Sequence, residues 1–293
     1  MYSIQFHQFI NLLFLLFIAE KTEVFYLNGV EVIILLLFSF VIEHIFIYIK
    51  EKKIVFFSFS SLTTSMGIML MLISTQWWIY GVSIILALGQ KHFLTLQQKH
   101  FFNPSNFALV MVLLLFYNDA HIVLGQLGNE RWLQWIILIL ALFILYRAKR
   151  LYIPIFFILS YSIIQYFFIV QSDPNMFISD LLLRFDSVSF IVFIVFMLTD
   201  PRTTPAKAQY QILFAISLAS MASLFDFYYG FRVQHLFMVL FLLTPLVVFI
   251  SILKRVKKPY YYLVLMVIFQ VLSLAVIISI ESHPPYYFEM GNE

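Results

Sequence analysis

The chain has no cysteine among its 293 residues, which excludes disulfides, thiol nucleophiles and cysteine-ligated iron–sulfur clusters. Charge is also scarce: Asp, Glu, Lys and Arg make up 11% of the sequence, against about a quarter in soluble domains. No Gly-rich phosphate loop and no nucleophile–base pair at motif spacing occurs. His92 and His100 sit in one loop without the companions of a metal site, so no metal is expected. The sequence shows no self-contained catalytic constellation and leaves open whether the protein is an enzyme.

What is abundant is apolar. Hydrophobic residues reach 62% and the mean hydropathy is +0.95, which predicts an integral membrane protein. A helical crossing takes about 17 to 25 apolar residues. About eleven candidates appear, at 4–19, 30–49, 54–74, 77–90, 104–117, 132–148, 152–170, 177–199, 209–225, 232–252 and 259–280. The first is read as a retained helix rather than a cleaved signal, because it has no basic lead and is followed by Glu20, Lys21 and Glu23.

All but four of the 18 basic residues fall in alternate loops: Lys50, Lys52 and Lys53; Lys91 and Lys99; Arg147, Lys149 and Arg150; Arg202 and Lys207; Lys254, Arg255, Lys257 and Lys258. The positive-inside rule then puts these loops and the N-terminus in the cytoplasm, and the tail after 280 outside, in a bacterial inner membrane. The net charge of +3 follows from this topology and implies no nucleic-acid partner.

No linker divides the chain, so residues 1–293 are expected to form a single all-α transmembrane domain of about 10 or 11 helices. Five crossings before the loop at 118–131 and five after it would form two repeats of opposite orientation, 1–117 and 132–252, with 259–280 as an additional helix. In each half the third crossing is polar. The first carries Ser58, Ser60, Ser61, Thr63, Thr64 and Ser65; the second carries Asp180, Arg184, Asp186, Ser187 and Ser189. Both polar runs reach the midplane, from opposite sides, as two interrupted helices would.

Ser61, Thr63, Thr64, Asp180, Arg184 and Asp186 are therefore read as an intramembrane polar path, since charges at that depth either pair or face a polar cavity. A structural ion pair between Asp180 and Arg184, one helical turn apart, is the plainer alternative. Hydroxyls bonded back to their own helix or joining neighbouring helices would equally explain the Ser/Thr run. Glu43 and His44 are read as a surface pair within reach of Lys50, Lys52 and Lys53.

Two corners interrupt the apolar pattern on the predicted cytoplasmic side. "FFNPSN" at 101–106 places Asn103 as an N-cap before Pro104 in the first turn. "TDPRTTP" at 199–205 again sets a polar residue before Pro, and Arg202 adds a fork for an anion. The two corners are expected to share one site, although two independent caps fit the spacing as well.

"SSLTTSMGIMLMLISTQWW", "FFNPSNFALVMVLLLF" and "FMLTDPRTTP", in this order and at these distances, resemble the RnfD/NqrB family of membrane subunits of the Rnf and sodium-pumping NADH:quinone oxidoreductase complexes. The likeness covers most of 54–117 and 183–252, about half of the chain. The short single-domain form resembles most the RnfD-like branch associated with enediyne gene clusters. The resemblance implies a ten-helix core of two inverted repeats, related in architecture to ammonium and urea transporters, that carries flavin and takes part in electron transfer. Family members attach FMN to a Thr in an Asp-Gly-x-x-x-Ala-Thr segment between the two corner motifs. The corresponding "YNDAHIVLGQLGNERW" has no Thr, so covalent FMN is not expected. The family's Ser-Gly-Ala-Thr ahead of the second corner is Ser187-Val188-Ser189-Phe190 here.

By that resemblance Asn103, Ser105, Asn106, Thr199, Asp200, Arg202, Thr203 and Thr204 would contact a noncovalent riboflavin or FMN, with Phe101 and Phe102 as aromatic walls. Flavin-linked electron transfer is thus the leading expectation, in a complex with other subunits in the lipid bilayer. The alternatives are a channel or transporter for a small solute on the same scaffold, and a cofactor-free scaffold of a biosynthetic complex.

Overall fold

The computed structural model describes residues 4–21, 25–53, 58–97, 99–123, 131–170, 177–185, 187–253 and 259–282. Its helices are α1 (Ile4–Lys21), α2 (Gly29–Glu51), α3 (Phe59–Met69), α4 (Trp77–Phe93), α5 (Pro104–Leu115), α6 (Arg131–Ala148), α7 (Tyr152–Gln165), α8 (Ile178–Phe185), α9 (Val188–Val192), α10 (Ala208–Tyr229), α11 (Gln234–Ile252) and α12 (Pro259–Glu281). Four stretches, Gly29–Glu51, Ala208–Tyr229, Gln234–Ile252 and Tyr260–Glu281, are long and apolar enough to cross a bilayer, which fits an integral membrane protein.

Exposed apolar side chains such as Leu37, Val41, Trp135, Ile139, Phe167 and Leu272 cover the outside, the surface that hydrocarbon rather than water accepts. The polar residues are inside: Ser39, Glu43, Asn106, Gln165, Asp226 and His235 are all buried. α11 lies in the middle and is enclosed along most of its length, with thirteen buried residues from His235 to Ile252. α12 is peripheral, with only Ile277 and Glu281 buried among its described side chains.

Local chemistry sets several of the ends. Asn28 caps α2 by accepting from Val30 N and Glu31 N at 3.0 Å each, while its own N–H donates to Glu31 Oε2 at 2.9 Å. This reciprocal box satisfies amides that have no helical partner. Asn103 caps α5, accepting from Asn106 N at 3.1 Å, with Pro104 in the first turn.

α3 has 11 residues and α5 has 12. At about 1.5 Å per residue each spans roughly half of a hydrocarbon core. Both chains then leave the helix, and the strands that follow them, β1 (Leu72–Ser74) and β4 (Ala120–Ile122), pair antiparallel with Leu72 opposite Ile122 and Ser74 opposite Ala120. Such pairing supplies partners for non-helical backbone at membrane depth. A second small hairpin, β2 (Thr95–Leu96) with β3 (Lys99–His100), precedes the first corner.

The stretch read as the eighth candidate is likewise discontinuous: α8 stops at Phe185, α9 begins at Val188, and Phe193–Met197 is π-helical. A second π segment, Tyr166–Val170, extends α7. π turns of this kind frequently mark functional positions.

The loops rich in Lys and Arg meet at one end. Lys50 Nζ donates to His92 O at 2.6 Å, Lys99 Nζ to Ser251 Oγ at 3.1 Å, and Arg150 Nε to Thr204 Oγ1 at 3.0 Å. These contacts define a basic end of the molecule.

Candidate functional site

The two corners come together at the basic end. Asn103 Nδ2 donates to Asp200 Oδ2 at 3.4 Å. Asp200 also organises its own turn: Oδ1 accepts from Arg202 N at 3.0 Å, and its carbonyl accepts from Thr203 N at 3.2 Å, Thr204 N at 3.1 Å and Thr204 Oγ1 at 2.7 Å. Arg150 holds the corner from behind through Thr204 Oγ1 and the Pro201 carbonyl, the latter at 3.2 Å.

Between these corners and α3 is a cavity of about 210 Å³. Ser60, Thr63, Thr64, Asn103, Ser105 and Asp200 supply most of its polar wall, with Gln8, Lys91, His100 and Arg202 around them and Val192, Phe196 and Met197 as apolar lining. Gly67 lets α5 approach α3, since a β-carbon there would lie 3.0 Å from Ser105 Oγ.

The protons of three wall hydroxyls are committed. Thr63 Oγ1 and Thr64 Oγ1 donate to Ser60 O at 3.0 and 2.8 Å, and Ser105 Oγ donates to Thr64 O at 2.9 Å. What these oxygens offer the cavity is lone pairs, and the Asp200 carboxylate adds acceptor capacity beyond its two bonds. The wall is therefore rich in acceptors. Positive charge stands beside it: Arg202 is exposed at the corner, while Lys91 is bound to Glu43 Oε1 at 2.5 Å.

His100 Nε2 is 3.9 Å from Asp200 Oδ2 and is buried without a hydrogen bond. Burial pushes the His100 imidazole down to about 4; Asp200 opposes that shift, and Arg202 and Lys91 reinforce it. The ring is neutral at pH 7.

Not every residue that the sequence singled out reaches this cavity. Phe101 and Phe102 line a separate apolar groove of about 380 Å³ with Phe249, Tyr262 and Phe269, and Phe102 stacks on Phe241 at 4.8 Å. Asn106 Nδ2 donates to Phe237 O at 3.2 Å. Thr199 Oγ1 bonds back to Val195 O, Thr204 is occupied as described, and Thr203 is buried with its hydroxyl unpartnered. Ser61 donates to Ser58 O at 3.1 Å and is not among the residues that line the cavity.

The arrangement does not fit a flavin as the resemblance implied. The Phe pair that the resemblance would set against an isoalloxazine and the amide and hydroxyl groups belong to two different cavities, and Phe196 is the one phenyl ring among the described residues that line the polar cavity. The polar cavity is also smaller than the roughly 300 to 1,000 Å³ of ordinary ligand pockets.

The Glu43 expectation is corrected. Glu43 is buried, not at the surface, because α4 turns Lys91 and His92 toward it: Lys91 Nζ lies at 2.5 Å and His92 Nε2 at 2.9 Å. His44 instead contacts Phe40 O at 2.6 Å through Nδ1, and Lys50 reaches the His92 carbonyl.

At the opposite end Arg184 is buried, and its partner is Asp226 of α10, with NH1 3.1 Å from Oδ2. The side chain of Asp180, and all of Asp186, lie outside the described residues. Asp226, His235 and Glu281, which complete this second polar cluster, were missed in the sequence. The signal for them was present: each is a lone ionisable residue in an apolar helix.

Comparison of the chain with protein-family models and with curated proteins finds no match in either.

Proposed function

We propose that the protein is a membrane channel or transporter for a small neutral solute that donates hydrogen bonds, of the amide or polyol kind. The observation that carries this reading is the acceptor-rich cavity where α3 and the two corners meet. A solute with N–H or O–H groups exchanges its water for those lone pairs, as pore-lining acceptors do. A bare cation is less suited, because Arg202 and Lys91 stand at the same wall. The broken third and eighth crossings support an inverted-repeat architecture in which half-helices frame a path through the bilayer. The distribution of Lys and Arg supports a bacterial inner membrane with the basic end in the cytoplasm.

The test is swelling of proteoliposomes in gradients of small amides and polyols. Permeation above that of empty liposomes, reduced about tenfold or more by Asp200→Asn or Ser105→Ala, is expected. Permeation equal to empty liposomes for every solute would sink this reading.

The likeness of "FFNPSN" and "TDPRTTP" to the RnfD/NqrB family supports a second reading, flavin-linked electron transfer beside partner subunits. It rests on the resemblance. A visible spectrum of purified protein with flavin bands would favour it, whereas a colourless protein that copurifies with partners would favour a scaffold.

A further inference from the structure

We propose that Asp226, His235 and Glu281 form a buried site that binds one exchangeable proton, at the end of the molecule away from the basic loops. All three side chains are fully buried. His235 Nδ1 is 2.7 Å from Asp226 Oδ1, and its Nε2 is 3.3 Å from Glu281 Oε2, out of line for a hydrogen bond.

A neutral imidazole carries one N–H and one lone pair. If Nδ1–H donates to Asp226, Nε2 is left with a lone pair 3.3 Å from a carboxylate oxygen and no hydrogen bond between them, an unfavourable arrangement that a proton on Nε2 would relieve. No other donor among the described residues reaches Nε2. Asp226 Oδ2 accepts from Tyr161 Oη at 2.8 Å, Gln165 Nε2 at 2.7 Å and Arg184 NH1 at 3.1 Å, and Oδ1 also accepts from Arg232 N at 3.1 Å. Glu281 accepts from Arg232 NH1 at 2.7 Å and Gln234 Nε2 at 2.5 Å. Tyr117, beyond α5, stands near Glu281 and Arg232.

Among these side chains two guanidiniums balance two carboxylates, so the cluster is neutral without the proton and carries one positive charge with it. Both states are attainable, as an exchangeable site requires. Loading adds an attraction between the ring on α11 and Glu281 on α12, beside the bond to Asp226 on α10; unloading leaves Nε2 and Glu281 in repulsion. The proton thus changes how tightly the peripheral α12 is held to α11. This site stands apart from the transport reading, because it is defined by the ring alone.

The experiment is nitrogen NMR of isotope-labelled histidine in the full chain reconstituted in liposomes, with His235→Gln as the difference that assigns the ring. Should that variant fail to fold, the ring is assigned in the unmutated protein through its dipolar contact with labelled Asp226. Between about pH 5 and about pH 9 the ring is expected to pass from two protonated nitrogens to one. Glu281→Gln is expected to lower the midpoint by about one pH unit or more. A ring that keeps a single protonation state across that range, or a midpoint that Glu281→Gln leaves unmoved, would overturn the site.

Discussion

Gly67 and Ser105 touch across the wall of the polar cavity: a β-carbon at position 67 would stand 3.0 Å from the hydroxyl that Ser105 uses to reach the Thr64 carbonyl. The absence of a side chain there is what allows α3 and α5 to share one polar surface.

Gly67→Ala therefore sets two effects against each other. Removing a glycine from a helix favours folding by about 1 kcal/mol, while the displaced Ser105 loses its bond and narrows the cavity. Thermal stability in detergent is expected to stay within about 1 kcal/mol of wild type, and solute permeation to fall. Adding Ser105→Ala to Gly67→Ala relieves the clash and is expected to raise stability above that of Gly67→Ala without restoring permeation.

Asp226 satisfies Arg184, Tyr161, Gln165 and His235 at once. Replacing it by Asn leaves the buried guanidinium of Arg184 without its counter-charge, at an expected cost of about 3 to 5 kcal/mol. Unfolding in mild detergent reads this directly. Combining Asp226→Asn with Arg184→Met is expected to be less damaging than Asp226→Asn alone, because no uncompensated charge remains.

The same logic governs the basic end. Glu43→Gln strands Lys91, whose ammonium is 2.5 Å from the carboxylate it would lose, and an expected loss of about 3 to 5 kcal/mol follows. Lys91→Met in that background is expected to recover part of it. A surface pair would show neither effect, so the two denaturation curves separate the buried arrangement from the exposed one.

His100 predicts a pH dependence. Its folded value lies at about 4, below the ordinary 6.5, chiefly through burial. The unfolded chain takes up the proton first as pH falls, so stability is complete above about pH 6.5 and is lost progressively toward pH 4. Wild type is expected to lose stability in that window relative to His100→Gln, measured as melting temperature at matched ionic strength.

Much of the architecture was legible from hydropathy. The long apolar runs became α2, α10, α11 and α12, and the Asn103 cap with Pro104 was readable from three letters. The partners of charges were not. Lys91 follows Glu43 by 48 positions and Asp226 follows Arg184 by 42, and a helix-period reading sees only neighbours three or four residues apart. The aromatic corner misled for a related reason: Phe101 and Phe102 adjoin Asn103 in sequence, yet the β2–β3 hairpin turns them toward α11 and α12. Adjacency along a chain does not specify which face of a turn a side chain takes.

The β1–β4 pairing also bears on how the protein enters the bilayer. The amides and carbonyls of residues 72–74 find their strand partners only in residues 120–122, which are made after α4, the hairpin and α5. The segment after α3 is not satisfied by its own helix, although Tyr80 of α4 already donates to the Leu72 carbonyl at 3.0 Å. Until residues 120–122 have been made, residues 72–74 are without their strand partners, so the segment after α3 completes its hydrogen bonding only once α5 has followed it.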